Sequence, residues 1–235
     1  MALLGKAAMI LSFDIVPEAI DEHDNWHNHE HLPERQSIPG FLRGSRWVSL
    51  GGPPKYFVMY EVSELATLAS APYLERLNNP SPWTARMMVH YRNMNRGFCR
   101  LTDSYGLGLG RVGLLIRCSP APGRETQLRE WLAEKLLPCL PAQPGLTSAH
   151  LLEAALTPEA TTEQRIRGKD SGLDWVVLVT GFNPENVASL STSELSIEQL
   201  EQHGAVAAHS GLYQMDYSLS DRELAGPLAA GAWNQ

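Results

Sequence analysis

Residues 26–40 read WHNHEHLPERQSIPG, and this stretch indicates how the whole chain is organised. A weaker copy follows at a constant offset of 105 residues, in which Trp131, Leu137-Pro138 and Pro144-Gly145 repeat the tryptophan, Leu-Pro and Pro-Gly of the first copy. Self-similarity at a fixed interval predicts two similar structural units. The chain has 235 residues, so we expect one unit over residues 1–106 and a second over residues 107–235.

The composition excludes several classes of protein. The formal net charge is -7 with acidic and basic residues interspersed, whereas a nucleic-acid binder needs a basic face. No apolar run approaches the roughly 20 residues of a membrane-spanning helix, and Met1 to Lys6 do not begin a secretory signal. Three scattered cysteines indicate neither a disulfide framework nor a zinc knuckle. We therefore expect a cytoplasmic protein that binds neither nucleic acid nor membrane.

Apolar periodicity in the first half predicts the order strand, helix, strand, strand, helix, strand. The predicted strands cover residues 7–15, 40–50, 56–62 and 97–103, and the predicted helices cover residues 17–33 and 63–78. Pro33 comes where the first helix should end. This order is that of the ferredoxin-like βαββαβ unit.

The second half repeats the same order with an insertion. The predicted strands are residues 111–118, 145–154, 173–182 and 211–219, and the helical segments are 124–137, 184–190 and 197–202. Residues 157–172 are polar and charged, and we expect an exposed loop there. A ferredoxin-like sheet has helices on one face only, so its other face must be covered. We predict an α+β fold in which two tandem ferredoxin-like units pack their antiparallel sheets face to face as an intrachain α/β barrel, enclosing a cavity.

Four motifs in the first half resemble a known family. They are Trp-His-x-x-Glu-His-x-Pro at residues 26–33, Ile-Pro-Gly-Phe at 38–41, Pro-Tyr-Leu at 72–74 and Pro-Ser-Pro-Trp-Thr at 80–84. Together they are similar to the EthD-like members of the dimeric α/β-barrel superfamily, over most of residues 7–103. The second half resembles that family in layout only. The resemblance implies a cavity that in this superfamily hosts isomerases, polyketide cyclases, cofactor-free monooxygenases and haem enzymes.

The histidines of the first helix are the candidate catalytic groups. On a helix His23, His27 and His31 lie on one stripe, and His29 points away from it. His31 matches the family histidine, and a neutral imidazole can take and return a proton near pH 7. Glu30 would orient His31, or it is a surface charge.

Two alternatives remain open for the other stripe histidines. His23 and His27 can belong to an exposed polar face, or His27 can share catalysis with His31. A metal held by His27, His31 and Glu34 is a further alternative, but the set lacks a clear additional ligand. We expect no metal and no cofactor.

Candidate substrate-binding groups come from the strands and the second helix. Arg43 and Arg46 have opposite parity on one strand, so at most one of them points into the cavity, where it would clamp an anion. Otherwise they form salt bridges at the rim of the sheet. Tyr60 and Trp83 would line an aromatic pocket with His90, although buried structural aromatics are the common case.

The two halves differ in these groups, which predicts one site per chain. Positions that match the site of the first half are occupied by Leu136, Ser148, His150 and Leu151 in the second. We expect a cofactor-independent isomerase, cyclase or lyase acting on a small carboxylated or aromatic-derived catabolic intermediate. The alternatives are a non-catalytic ligand-binding or stress-response barrel and a haem-binding barrel. The expected partner is a small-molecule substrate, with a homodimer as a further option.

Overall fold

A computed structural model describes residues 2–155, 162–167 and 175–225 of the chain. Its eight strands are β1 (Ala7–Ile15), β2 (Phe41–Ser49), β3 (Tyr56–Val62), β4 (Tyr91–Gly106), β5 (Val112–Pro120), β6 (Leu146–Ala155), β7 (Trp175–Gly181) and β8 (Ala205–Ser220). The strands predicted at residues 7–15 and 56–62 have the bounds of β1 and β3. The last strand of each half is longer than predicted mainly at its start, where residues 91–96 pair with β1 and residues 205–210 pair with β5 of the same half.

All eight strands form one closed antiparallel barrel. Within the first half the order is β4-β1-β3-β2, and within the second it is β8-β5-β7-β6. The halves join twice, where Arg46 of β2 pairs with Tyr217 of β8 and where Cys99 of β4 pairs with Ala154 of β6. The predicted fold class is therefore confirmed: α+β, with two ferredoxin-like halves whose sheets face each other as an intrachain barrel.

The barrel interior is filled with side chains. Along β1, Met9 and Leu11 face outward to the helices while Ala8 and Ile10 face inward, as the two-residue period of a strand requires. The inward side chains form one cluster with Trp47 at its centre, and its other members include Phe57, Met59, Leu115, Leu152, Val176, Leu178 and Tyr213. An eight-stranded barrel leaves little more room than side chains occupy. These side chains take up most of the space in which the cavity between the sheets was expected.

The first helix is longer than predicted and is interrupted by a π-helical turn. It runs from a 3₁₀ turn (Pro17–Ala19) through α1 (Ile20–Trp26), the π turn (His27–His31) and α2 (Leu32–Gln36). The amide of Leu32 bonds to the carbonyl of His27, five residues back. Pro33 then falls in the first turn of α2, where its missing N–H is tolerated. The prediction that the helix ends at Pro33 was wrong for this reason.

The other helices pack against the same outer faces of the barrel. They are α3 (Ala71–Asn78), α4 (Pro82–Met88), α5 (Glu125–Arg129), α6 (Thr162–Arg167), α7 (Pro184–Ser189), α8 (Ile197–Gln202) and α9 (Asp221–Leu224). A second π-helical segment, Glu130–Leu136, follows α5 and precedes a 3₁₀ segment at Leu137–Ala142. In the described ranges, every helix is too short or too polar to cross a lipid bilayer.

The insertion of the second half carries a helix that covers the first half. Helix α6 packs against α3 and α4, and both the backbone amide and the hydroxyl of Thr162 donate to Oδ1 of Asn78. Glu163 is only 3% exposed. The exposed loop predicted for residues 157–172 is thus wrong for residues 162–167, and the rest of that prediction falls outside the described residues.

The filled interior makes a measurable difference to stability. We expect Trp47→Ala to lower the free energy of unfolding by about 3–5 kcal/mol, because it leaves a large cavity in a close-packed core. Leu107→Ala, at a side chain that is 79% exposed, should change it by less than about 0.5 kcal/mol. Urea unfolding followed by circular dichroism measures both values, and an equally small effect at Trp47 would contradict a packed barrel.

Candidate functional site

A stripe of four polar side chains runs along the first helix on the side that faces the sheet. His23, His27, His31 and Arg35 are spaced four residues apart, and all four are buried, with His31 the most accessible at 8%. His29 is on the exposed side. The predicted stripe is present, but the alternative that His23 and His27 form an exposed polar face is wrong, because the stripe packs against β1 and β3.

The rings of the stripe stack in series. The ring centroids of His23 and His27 are 5.4 Å apart, and those of His27 and His31 are 5.6 Å apart. The indole of Trp26 lies 4.4 Å from the His31 ring. Because the π turn contains both His27 and His31, it contributes to aligning their rings, and π turns are frequent at functional sites.

His27 is a neutral imidazole held by two partners. Its Nδ1 lies 3.4 Å from Nη1 of Arg46, which can only donate, so Nε2 carries the proton and donates to Oη of Tyr60 at 3.4 Å. Burial, reinforced by the positive charges of His23, Arg46 and Arg35, holds the pKa of His27 well below its ordinary value. His27 is therefore unprotonated near neutral pH and has no nitrogen left to act as a base.

His23 forms a separate network with the opposite tautomer. Its Nδ1 donates to Oδ1 of Asp24 at 3.0 Å, so its Nε2 accepts from the hydroxyl of Tyr91 at 3.2 Å. Tyr56 donates to the same oxygen of Asp24 at 2.9 Å. Burial lowers the pKa of His23, and the bond to Asp24 only partly opposes this. These contacts fix the start of the stripe and make no use of a ligand.

The two arginines of β2 face opposite sides, as predicted. Arg46 lies on the helix side, where Nε donates to Oδ2 of Asp216 at 2.9 Å, so that β8 of the second half anchors it. Arg43 lies on the barrel side, where Nε donates to Oε1 of Glu61 at 2.6 Å. Arg46 joins the site through His27. The prediction that Arg43 binds substrate is not supported, because the sheet separates it from the histidines.

One small cavity remains between this stripe and the sheet, with a free volume of about 20 Å³. That is room for about one water molecule. His31 is the stripe histidine that lines it, and the other lining residues are Met9, Leu11, Arg35, Tyr60, Tyr73, Leu77, Arg96 and Glu163. The cavity thus brings an imidazole, two phenols, two guanidinium groups and a carboxylate together.

The charged groups of the cavity belong to one cluster. Arg35 donates to Oε2 of Glu34 at 3.0 Å through Nη1 and to Glu163 through Nη2. Arg96 donates to the hydroxyl of Tyr73 at 3.3 Å. Burial acts to lower the pKa of Arg35, but the carboxylates of Glu163 and Glu34 outweigh it and raise the pKa above its ordinary value. Arg35 is therefore permanently charged.

Three predicted site residues lie elsewhere. Glu30 accepts from the indole of Trp26 at 3.1 Å and from the hydroxyl of Thr84 at 3.2 Å, so it holds the ring on which His31 stacks. Trp83 is half-buried and donates to Glu22 near the surface. His90 is half-buried in the turn after α4. None of the three lines the cavity, and Trp83 and His90 are not supported as substrate-binding groups.

The second half has leucine at every position of the stripe. Residues 105 positions after the stripe are Leu128, Leu132, Leu136 and Leu140, and all four belong to or pack against the apolar core of that half. The position that matches Arg46 is Leu151, which is also in that core. The helix-facing layer of the second half therefore packs with leucine at each of these positions.

The comparison of the two halves bears on whether the buried histidines and the arginine stabilise the fold. Burying ionisable groups is costly even when they are paired, and apolar replacements of similar volume are often neutral or stabilising. The leucine stripe is such a replacement within one chain. A helix and sheet of this layout can thus pack with leucine at these positions, which makes the buried histidines and arginines of the first half a candidate functional site.

A larger groove, of about 370 Å³, lies at one mouth of the barrel. It is lined by the turn at residues 51–54 and by the middle of β5 and β8, with Arg117 half-buried and His209 exposed. Arg117 and His209 are in contact with solvent, which screens them, whereas Tyr213, which also lines the groove, is buried. The buried stripe is the better candidate because its groups are fixed and desolvated.

The stripe fits neither the predicted metal ion nor haem. Among residues 2–155, 162–167 and 175–225 no three His, Cys, Asp or Glu side chains are grouped to hold a metal ion. For the metal set of His27, His31 and Glu34, Glu34 is bonded to Arg35 and both nitrogens of His27 are engaged. The space beside His31 is far smaller than the four-pyrrole ring of haem.

Sequence reasoning missed Arg35, Arg96 and Glu163. Arg35 continues the four-residue spacing of the histidines, and Arg96 alternates with Met94 and Phe98 on a strand face that is otherwise apolar. Both patterns were visible in the sequence. Glu163 gave no signal, because it lies in the insertion that has no counterpart in the first half.

Comparisons with solved structures show the fold. An anthrone oxidase-like protein matches with a TM-score of 0.67 and 9% identity, covering 92% of both chains. A candidate monooxygenase from Fusobacterium nucleatum matches with a TM-score of 0.61 and 8% identity, and the match covers 93% of this chain and 96% of the other. A candidate monooxygenase from Lactobacillus acidophilus matches with a TM-score of 0.59 and 10% identity, and the match covers 92% of this chain and 96% of the other. These proteins share the ferredoxin-like fold of the dimeric α/β-barrel superfamily.

Sequence comparisons add no family to this result. No protein-family model matches the chain, and no protein of curated function matches it either. At 8–10% identity the structural matches establish the fold alone.

The buried histidines should make stability depend on pH. The pKa of His27 is lowered on folding, so below its unfolded value of about 6.5 the unfolded chain binds one more proton than the folded chain. Through His27 alone, the free energy of unfolding should then fall by at most about 1.4 kcal/mol per pH unit as the pH drops from 6.5 towards 5.

The variant His27→Leu, which copies Leu132, should remove the part of that dependence that His27 contributes, while burial also lowers the pKa of His23 and of His150, which contribute the rest. Denaturant unfolding at pH 5, 6 and 7 measures it, and His29→Leu, at the exposed histidine, is the control and should leave the pH dependence unchanged. An unaltered dependence in His27→Leu would show that His27 is protonated in the folded state.

Proposed function

We propose that the site is the active site of a cofactor-independent enzyme that moves a proton on a small aromatic-derived carbonyl compound. The single observation that carries the proposal is the replacement of a leucine stripe by three histidines and an arginine in one half only. Isomerisation, cyclisation and lyase reactions of such compounds all begin with removal of a proton from carbon next to a carbonyl. A positioned imidazole supplies that step near neutral pH.

His31 is proposed as the general acid/base. It lines the cavity and is 8% exposed, which makes it the most accessible histidine of the stripe. In the proposed step the carbon–hydrogen bond breaks, the proton passes to the His31 imidazole, and the electron pair remains on the substrate as an enolate. The same imidazolium returns the proton at another position.

Tyr60 is proposed as the group that stabilises the enolate oxygen. Its hydroxyl accepts from Nε2 of His27 and so has its own proton left to donate, and it lines the same cavity as His31. Burial, the largest cause, raises the pKa of Tyr60 well above its ordinary value, which keeps the phenol protonated. A fixed donor aimed at a developing oxyanion is among the largest contributions to catalysis.

Several broader predictions are kept as part of this proposal. We propose that the chain is an EthD-like member of its superfamily, supported by the motifs of residues 26–41. We also propose that residues 1–106 and 107–235 are tandem copies of one unit, supported by the constant offset of 105 residues. A cytoplasmic location and a homodimer remain predictions that the charge and composition permit.

The alternative function is that of a non-catalytic barrel that holds a ligand. Proton exchange on a bound substrate distinguishes the two, because a binding protein leaves the carbon–hydrogen bonds of its ligand unchanged. The haem alternative has no support in the space beside His31.

The first test measures proton exchange with phenylpyruvate, an aromatic keto acid with an acidic CH₂ group. We expect the protein to accelerate deuterium incorporation at that carbon, followed by NMR in D₂O under argon. His31→Ala should reduce the rate by about 10²–10⁴-fold, as expected for loss of a general base. His29→Ala is the control and should keep the full rate.

Four results bear on this test. An unchanged rate in His31→Ala would remove its assignment, and no acceleration with phenylpyruvate or with anthrone would support the binding alternative. A Soret band in the spectrum of the purified protein would restore the haem alternative. Oxygen uptake in air would identify the enolate as the species that reacts with dioxygen.

The second test concerns Tyr60. Tyr60→Phe should lower kcat by about 10²–10³-fold with little change in KM, because it removes a donor that acts mainly on the developing charge. The matched control is Tyr56→Phe, on the same face of β3, whose hydroxyl is bonded to Asp24 instead of lining the cavity. Equal losses in both variants would mean that the effect is structural.

A further inference from the structure

Glu163 belongs to an inserted segment, yet its carboxylate is buried in an ion pair with the other half of the chain. It comes from α6 in the second half, yet it is bonded to Arg35 of the first half, 128 residues away in sequence, inside the cavity that His31 lines. The ion pair is almost fully buried on both sides, at 1% and 4% side-chain exposure. A side chain from outside the first half thus fills the space next to the proposed base.

The groups around Glu163 form a receptor for a carboxylate. Arg35 and Arg96 both line the cavity, and a guanidinium fork matches the geometry of a carboxylate. Glu34 is the other carboxylate bonded to Arg35, and it also lies 3.8 Å from Arg76. Tyr73, bonded to Arg96 at 3.3 Å, adds a polar aromatic wall.

The second half has an apolar residue where the first half has the arginine of this cluster. The position of Arg35 is taken there by Leu140, which is fully buried in an apolar core. A structural ion pair at this place is therefore not needed by the architecture. The free volume of about 20 Å³ is also too small for any aromatic ring while Glu163 is in place.

We propose that Arg35, together with Arg96, is the binding subsite for the carboxylate of an aromatic monoacid, and that Glu163 occupies this subsite until the ligand displaces it. The inference deepens the proposed function, because a carboxylate held there places its aromatic group beside His31. Specificity for anionic over uncharged ligands follows from the same pair of arginines. Because Glu163 fills the subsite in the closed state, it lowers the apparent affinity by the fraction of molecules in which it is bound.

The test uses cinnamate and its uncharged amide, cinnamamide, which differ in the group that Arg35 would bind. Neither ligand has an acidic CH₂ group, so binding is measured independently of turnover, by isothermal titration calorimetry. We expect Glu163→Ala to bind cinnamate at least about tenfold more tightly than the unaltered protein, with no comparable gain for cinnamamide.

Glu34→Ala is the matched control, because it removes the other carboxylate that is bonded to Arg35 but does not line the cavity. Its affinity for cinnamate should stay near that of the unaltered protein. An equal gain in Glu34→Ala, or no gain in Glu163→Ala, would overturn the role of Glu163 as the internal occupant.

The double variant Arg35→Leu with Glu163→Ala tests the receptor itself. It removes both members of the ion pair and copies Leu140, so it avoids leaving an unpaired buried charge, and circular dichroism checks that it folds. It should lose the preference for cinnamate over cinnamamide, and a retained preference would show that Arg35 is not the subsite.

His31→Ala separates this inference from the proposed function. It should keep the preference for cinnamate even though it loses proton exchange with phenylpyruvate. Loss of exchange without loss of binding supports both conclusions, whereas unchanged exchange in His31→Ala would contradict the catalytic assignment and leave the carboxylate subsite standing.

Discussion

Closure of the eight-stranded barrel is the constraint from which the rest of the structure follows. The pairings of β2 with β8 and of β4 with β6 leave no free sheet edge, and closure fixes a narrow interior that Trp47 and its neighbours fill. A buried site for a small molecule therefore has to lie between a helix and the outer face of the sheet. Two such layers exist, one in each half.

The two layers solve the same packing problem with different chemistry. One uses four leucines from one helix, and the other uses three histidines and an arginine in the same places. The ionisable set needs partners from far away, and Asp216 and Glu163 of the second half supply them. Each half is thus incomplete alone, because the first half holds the proposed base and the second supplies carboxylates that balance its charge.

Local backbone geometry and distant charge act together at His31. The π turn brings His31 onto the stack with His27 and Trp26 and carries the helix past Pro33. Glu30 then secures Trp26 through its indole. A substrate would contact the imidazole of His31, whose ring is held by packing against Trp26 and His27. It would also contact the phenol of Tyr60, whose oxygen already accepts a hydrogen bond from His27. Such fixed groups need little reorganisation during proton transfer.

The sequence by itself determined the order of elements, the bounds of β1 and β3, the fold class and the stripe of histidines, because these follow from periods of two and of about four residues. It also located His31, His27, Tyr60 and Arg46, which share the helix-facing side of the first layer. Only the tertiary structure decided that the barrel is full, that Arg43 faces away, and that Arg35, Arg96 and Glu163 meet. Those outcomes depend on strand closure and on contacts between residues up to 170 positions apart, and local periodicity carries no information about which distant segments dock together.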